Sequence, residues 1–143
     1  MSNSQFAFIQ RQSVPDRATL QASLDRLAFD LQLHPDFTRF DDSGFLPFTL
    51  HGTEGPGFEI HYSEAQDVVG DDEGLAAIAG GRDYCITMTW GGRMKDLACV
   101  MMVSCALAQD FGAAVSYEGE EAAPLEEMLH TVQVALKEAA KEK

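Results

Sequence analysis

Hydrophobic residues recur at every third or fourth position in two parts of the chain, and a third part is apolar along most of its length; each of the three is predicted to be a helix. They cover residues 15–33, where leucines form one stripe, residues 94–110, and residues 124–139. The middle helix is apolar on nearly every side. Because a helix of that kind is normally buried on more than one face, we expect it to lie at the centre of the fold. His34-Pro35 ends the first helix, since a residue before proline avoids helical geometry.

Other segments alternate apolar and polar residues with a period of two, which predicts β-strands. These segments are 44–51, 57–63, 83–90 and 113–117. The Gly-rich stretch 52–57 is interpreted as a hairpin loop, and Pro47 makes the strand before it an edge strand or an irregular one. Residues 5–11 form either a further strand or an irregular lead-in. Residues 64–81 are predicted to be a long loop with about one helical turn.

The predicted order is therefore (β)αβββαβα. It indicates one α+β domain over residues 1–143, with an antiparallel-rich sheet of about four strands and three helices packed on it. The βαβ unit at 83–117 can place the fourth strand parallel to the third through a right-handed crossover. The middle helix has more apolar surface than one face of a sheet can cover. The remainder is covered either by the other two helices or by a second copy of the chain, so a homodimer is one of two alternatives.

Charge narrows the range of partners. The chain has 143 residues, 23 acids and 10 bases, for a net charge of -13. Such a surface repels phosphate groups, which disfavours nucleic-acid binding; it favours a cationic partner, or it serves solubility alone. The N-terminus does not resemble a signal peptide, and the longest apolar run, 97–103, is too short to span a membrane. We therefore expect a cytoplasmic protein without membrane partners.

Few residues of the sequence are candidates for catalysis or metal binding. Cys85, Cys99 and Cys105 have no metal-ligand spacing and are interpreted as reduced core residues of a cytosolic protein. His51 and His61, with Glu54 or Glu59, are candidate zinc ligands of a small metal-dependent enzyme, but no third ligand stands at a defined spacing, and the pattern favours solvated strand residues. No phosphate loop, dinucleotide fingerprint or activated nucleophile is present. We therefore predict no catalytic residue and no cofactor.

Two acidic segments are the more informative feature. Residues 64–73 and 118–127 carry five acids each. If the segments converge, they form an electronegative patch suited to a basic protein surface. The candidate partner-binding residues are Glu54, Glu59, Asp67, Asp71, Asp72 and Glu73. The aromatic residues that can serve as interface anchors are Phe37, Phe40, Phe45 and Trp90.

Several stretches together resemble a known class of protein. SGFLPFTLHGTEGPGFEIHYSEA (43–65), RDYCITMTWGG (82–92), ALAQDFGAAV (106–115) and the EG turn that follows resemble small bacterial immunity proteins. Such proteins occur beside secreted antibacterial toxins of type VI and other polymorphic systems. The resemblance implies a cytoplasmic toxin inhibitor that binds a cognate toxin and occludes its active site. It brings no catalytic residues with it.

The chain also resembles the small acidic chaperones of type III secretion in length, charge and element order. That family has an αβββαββα order and dimerises through its middle helix, so this resemblance implies a dimer that binds an effector. This chain shows one clear strand between its last two helices where the family has two, and this difference counts against the second resemblance.

Overall fold

The fold combines α-helices with β-strands, and the strands form a single antiparallel sheet. A computed structural model of the chain describes residues 3–41 and 44–141. In chain order the elements are β1 (Asn3–Ile9), a 3-10 turn (Arg11–Ser13), α1 (Arg17–Arg26), β2 (Leu31–Leu33), β3 (Gly44–Leu50), β4 (Thr53–Glu64), α2 (Ala65–Val69), α3 (Glu73–Ala79), β5 (Tyr84–Trp90), α4 (Met94–Phe111), β6 (Ala114–Tyr117) and α5 (Leu125–Ala139). The predicted α+β class is confirmed. The predicted numbers are wrong, because the described residues form six strands and five α-helices.

The N-terminal strand occupies a central place in the sheet. The strand order is β2-β3-β4-β5-β1-β6, and every neighbouring pair is antiparallel. Ala7, Phe8 and Ile9 are all fully buried, so β1 is covered on both faces. β5 and β6 therefore run in the same direction, as the crossover argument predicted, but β1 lies between them. The lead-in alternative for this segment is wrong.

The α4 helix is the centre of the main core. Every residue from 98 to 107 is buried. The sheet packs on one side of α4, while α5 and α1 pack on its other sides. The surplus apolar surface of this helix is thus covered within the chain.

The first helix is shorter than predicted. It ends at Arg26, and residues 31–33 form β2 instead of a last helical turn. Ala28 takes a positive φ of 61°, which stops the helix. Leu31 and Leu33 then pair with Leu50 and Phe48 of β3. Leucines at this spacing satisfy either a helix or a two-residue alternation, and pairing with the sheet decided between them.

The stretch from 64 to 81 contains two short helices, where the sequence predicts a long loop with one helical turn at residues 75–79; α3 includes that turn, and α2 was not predicted. They pack on the face of the sheet opposite α4, where Val69 and Ala79 cover Phe8 and Cys85. Asp72 caps α3, because its carboxylate accepts a hydrogen bond from the Leu75 amide. α2 has 5 residues and α3 has 7, too few for a clear helical period.

The β3–β4 hairpin differs from the prediction as well. Its turn is at residues 51–52, so most of the predicted loop belongs to β4. The register shifts between Pro47 and Thr49, which confirms that the proline makes β3 irregular. Opposite this bulge, the amide of Gly57 donates to Oδ1 of the buried Asp96 at 3.0 Å. A carboxylate in the first turn of α4 thereby fixes the bulge to the helix.

Both edges of the sheet are partly closed. At the β2 edge, the Gln21 side chain donates to the Leu31 carbonyl at 2.9 Å and accepts from the Leu33 amide at 2.8 Å. At the β6 edge, the Ala123 amide donates to the Val115 carbonyl at 2.9 Å. Unpaired edges invite pairing with other chains, and these contacts reduce that tendency.

A carboxylate at the end of α4 ties this helix to α1. Oδ2 of Asp110 accepts from the Ser23 hydroxyl and, at 2.9 Å, from Nη2 of Arg26. Both hydrogen bonds lower the pKa of Asp110, and the bond from Ser23 has the larger effect. A carboxyl group with a lowered pKa stabilises the fold above its ordinary pKa, and this stability is lost as the pH falls through the lowered value.

We therefore expect Asp110→Asn to reduce the free energy of unfolding by about 1 kcal/mol at about pH 7. The reduction should shrink steadily once the pH falls below about 4. Urea denaturation of both proteins across this pH range measures the difference. A reduction that is independent of pH would contradict the assignment.

Candidate functional site

A cleft of about 930 Å³ opens at one end of the sheet, where β1 begins and β5 and β6 end. The helices α4 and α5 start beside it. Its volume lies in the range of sites that hold a small molecule or a partner's side chains. The lining residues are Asn3, Gln5, Trp90, Gly91, Gly92, Arg93, Met94, Leu97, Met101, Tyr117, Glu120, Glu121, Ala122, Ala123, Pro124, Glu127, Met128 and Thr131.

Strand pairing brings the walls of the cleft together. Asn3 lies opposite Trp90 of β5, and Gln5 lies opposite Tyr117 of β6. These side chains share the sheet face that carries α4, just beyond the point where α4 begins. Gly91, Gly92 and Arg93 connect β5 to α4, and all three line the cleft. The cleft therefore lies between the end of the sheet and the starts of α4 and α5.

One wall of the cleft is aromatic. The rings of Trp90 and Tyr117 lie 6.1 Å apart at an angle of 46°. The Tyr117 hydroxyl donates to Oδ1 of Asn3 at 3.0 Å. Trp90 is 7% exposed and Tyr117 is 39% exposed, so the tryptophan forms the rigid base of the wall and the tyrosine its accessible surface.

The floor of the cleft contains a buried amide. Gln5 is 2% exposed, and its Nε2 donates to Ser104 Oγ at 2.6 Å and to Met101 Sδ at 3.3 Å. The Ser104 hydroxyl itself donates to the Val100 carbonyl at 2.7 Å. Because the Ser104 hydroxyl proton is used in this bond, its oxygen accepts from Nε2 of Gln5. This assignment fixes the orientation of the Gln5 amide.

The rim of the cleft is acidic. Among the described residues, Glu120, Glu121 and Glu127 line it, against one cation, Arg93. Nε of Arg93 lies 4.0 Å from Oδ2 of Asp96, so that cation already has a carboxylate partner. Burial, together with the negative charges of Glu118 and Glu120, raises the pKa of Tyr117.

The candidate partner-binding acids lie outside this cleft. Glu54 is near the hairpin turn of β4, and Glu59 is on the outer face of the same strand, opposite Phe45. Asp67 is on α2, and Asp71, Asp72 and Glu73 stand at the start of α3. All six residues are exposed. Their role in binding stays a prediction, although Asp72 also has a structural role as the cap of α3.

The second acidic segment, 118–127, approaches α3 just beyond the end of the first, 64–73. Gly119 faces α3, where a β-carbon at this glycine would lie 3.8 Å from Cδ2 of Leu75. The chain then continues through Glu120 and Glu121 along the cleft. The turn after β6 thus borders α3 on one side and the cleft on the other.

The structure does not bring the two candidate metal ligands together. His51 lies in the hairpin turn, and His61 lies on β4 opposite Thr87. The strand between them runs for about 25 Å, at about 3.3 Å per residue. No group of three or more His, Cys, Asp or Glu side chains in the described ranges is arranged to hold a metal ion.

Of the four candidate aromatic anchors, one is exposed. Phe45 is 56% exposed on the outer sheet face, whereas Trp90 is buried in the cleft wall. Phe37 is partly buried against the main core. Phe40 packs edge-on against Tyr62 and Tyr84.

The three cysteines are buried. Burial raises the pKa of Cys85 to about 11 and that of Cys99 and Cys105 to about 12. Because the thiolate is the reactive form, we expect none of them to react with a disulfide reagent in the folded protein. All 3 should react after unfolding in guanidinium. Rapid labelling of one thiol before unfolding, detected by mass spectrometry, would contradict this.

The chain matches no protein family model, and neither a curated protein nor a solved structure shows significant similarity to it. Within the ranges that the structure describes, no helix combines the length and the apolarity needed to cross a membrane. The cleft and the distribution of charge are the features of the chain that bear on its function.

Proposed function

We propose that this protein is a binding protein of the immunity type, which docks an acidic surface on a cationic region of a cognate toxin and blocks its active site. The acid-rimmed, aromatic-walled cleft is the observation that supports this proposal most. Glu120, Glu121 and Glu127 surround a site whose wall is formed by Trp90 and Tyr117. Negative charge over an apolar base is the arrangement that receives a basic, partly apolar protein segment.

The overall charge supports the same role. A net charge of -13 attracts a basic partner over a long range and raises the rate of association. Affinity then depends on a few side chains that lose contact with water in the complex. The partly exposed Tyr117, at the edge of the cleft, is suited to this part.

The chaperone alternative receives less support from the packing. A dimer through the middle helix needs an open apolar face on α4, and residues 98–107 of this helix are all buried within the chain. The metal-enzyme alternative needs His51 and His61 in one site, and they lie far apart on the hairpin.

Co-expression tests the proposed function. The product of the toxin gene adjacent to this one is expressed in a sensitive host with and without this protein. We expect survival only with this protein, and a stoichiometric complex on size-exclusion chromatography. Toxicity that persists despite normal amounts of folded protein would refute the proposal.

A further inference from the structure

We propose that the cleft binds an arginine side chain of the partner, with the guanidinium donating to the amide oxygen of Gln5. The inference deepens the proposed function, because it names the group that the acidic surface receives. Three features of the cleft support it: an acceptor without a protein partner, an aromatic wall and an acidic rim.

The acceptor is Oε1 of Gln5. The hydrogen bonds of Nε2 to Ser104 and Met101 fix the amide, so its oxygen is left on the side of the cleft. Among the described residues, no donor is bonded to this oxygen. Gln5 is only 2% exposed and lines the cleft, so a ligand reaches this oxygen from the cleft, where its hydrogen bond takes the place of one from solvent.

The wall and the rim define the charge and shape of the ligand. Glu120, Glu121 and Glu127 favour a cation and disfavour an anion. A guanidinium is planar, donates five hydrogen bonds and stacks on aromatic rings. It can therefore contact the amide, a carboxylate and the ring of Tyr117 together, which a compact ammonium group does less well.

The binding test uses the single tryptophan of the chain as its probe, because Trp90 lies in the cleft wall. Its fluorescence is followed while a blocked Gly-Arg-Gly peptide is added. The matched ligand contains citrulline, which has nearly the same shape but no charge. We expect a saturable change with the arginine peptide, and binding at least about tenfold weaker with citrulline.

Two neighbouring glutamates provide a matched pair of variants. Glu126 and Glu127 are both in the first turn of α5, but only Glu127 lines the cleft. Glu127→Gln should weaken binding of the arginine peptide about threefold, and Glu126→Gln should leave it unchanged. Gln5→Met, which keeps the length of the side chain and removes the acceptor, should weaken it about fivefold. Thermal unfolding establishes that each variant is folded.

Equal binding of the two peptides, no fluorescence change with either peptide, or equal effects of the two glutamate variants would each overturn the inference. Tighter binding of inorganic phosphate than of the arginine peptide would overturn it as well. Neutralisation of the toxin is measured separately on the same variants. If the toxin is neutralised but the arginine peptide does not bind, this inference fails and the proposed function stands.

Discussion

Replacing Gly57 by alanine is expected to lower the free energy of unfolding by about 4 kcal/mol, a loss large enough to unfold a marginally stable domain. A β-carbon at this position would lie 2.0 Å from the carbonyl oxygen of Leu46. The obstacle is backbone of the paired strand, so no side-chain rotation relieves it. Moving the strands apart would also strain the hydrogen bond from the Gly57 amide to Asp96.

A second glycine provides the control for this substitution. Gly91 has no atom within 4 Å of an added β-carbon, and its φ lies outside the left-handed region. Gly91→Ala should therefore change stability by less than about 0.5 kcal/mol. Urea denaturation followed by circular dichroism compares both variants with the wild type. Equal stability of the two variants would contradict the described register of β3 and β4.

The same glycine shows a limit of prediction from sequence. The Gly-Pro-Gly run predicts that Gly57 ends a hairpin loop, because such a run is typical of a turn. In the structure it lies within β4, where the strand passes close to its neighbour at a bulge. Composition alone does not distinguish a glycine that reverses the chain from one that admits a close approach.

Long periodic segments were predicted well. β5 and α4 begin and end within one residue of the predicted limits, because β5 alternates clearly, α4 is a long apolar run, and a glycine follows each. The sequence does not predict β2 and α2, and it predicts α3 only as one helical turn, because these elements are shorter than the windows in which a period becomes visible. Their structure depends on tertiary contacts, such as those of Gln21 with β2.

The cleft was only partly foreseeable. The acidic character of the turn after β6 was visible in the sequence, and so was an aromatic residue beside Gly91-Gly92. The position of Gln5 in the floor of the cleft could not be predicted, because it depends on β1 lying between β5 and β6. The one local signal was a polar residue at an inward position of a strand, and the sequence allows either a strand or an irregular lead-in there.

The second large effect concerns which acidic surface binds the proposed toxin partner. Replacing Glu120, Glu121 and Glu127 by lysine should weaken the proposed complex about a hundredfold or more, since each change puts a cation where we propose that the partner's arginine binds. Replacing Asp67, Asp71 and Glu73 by lysine changes the net charge by the same amount on the α2–α3 side. That second triple should mainly slow association and reduce its salt dependence. Asp72 is kept because it caps α3.

Stopped-flow association and dissociation rates at low and high salt separate the two surfaces. Long-range attraction depends on total charge, so both triples should slow association to a similar degree at low salt. Direct contact affects dissociation, so only the variant with lysine at Glu120, Glu121 and Glu127, in the cleft, should dissociate faster. If the α2–α3 triple alone speeds dissociation, the interface lies on the acids predicted from sequence, and the cleft has another ligand.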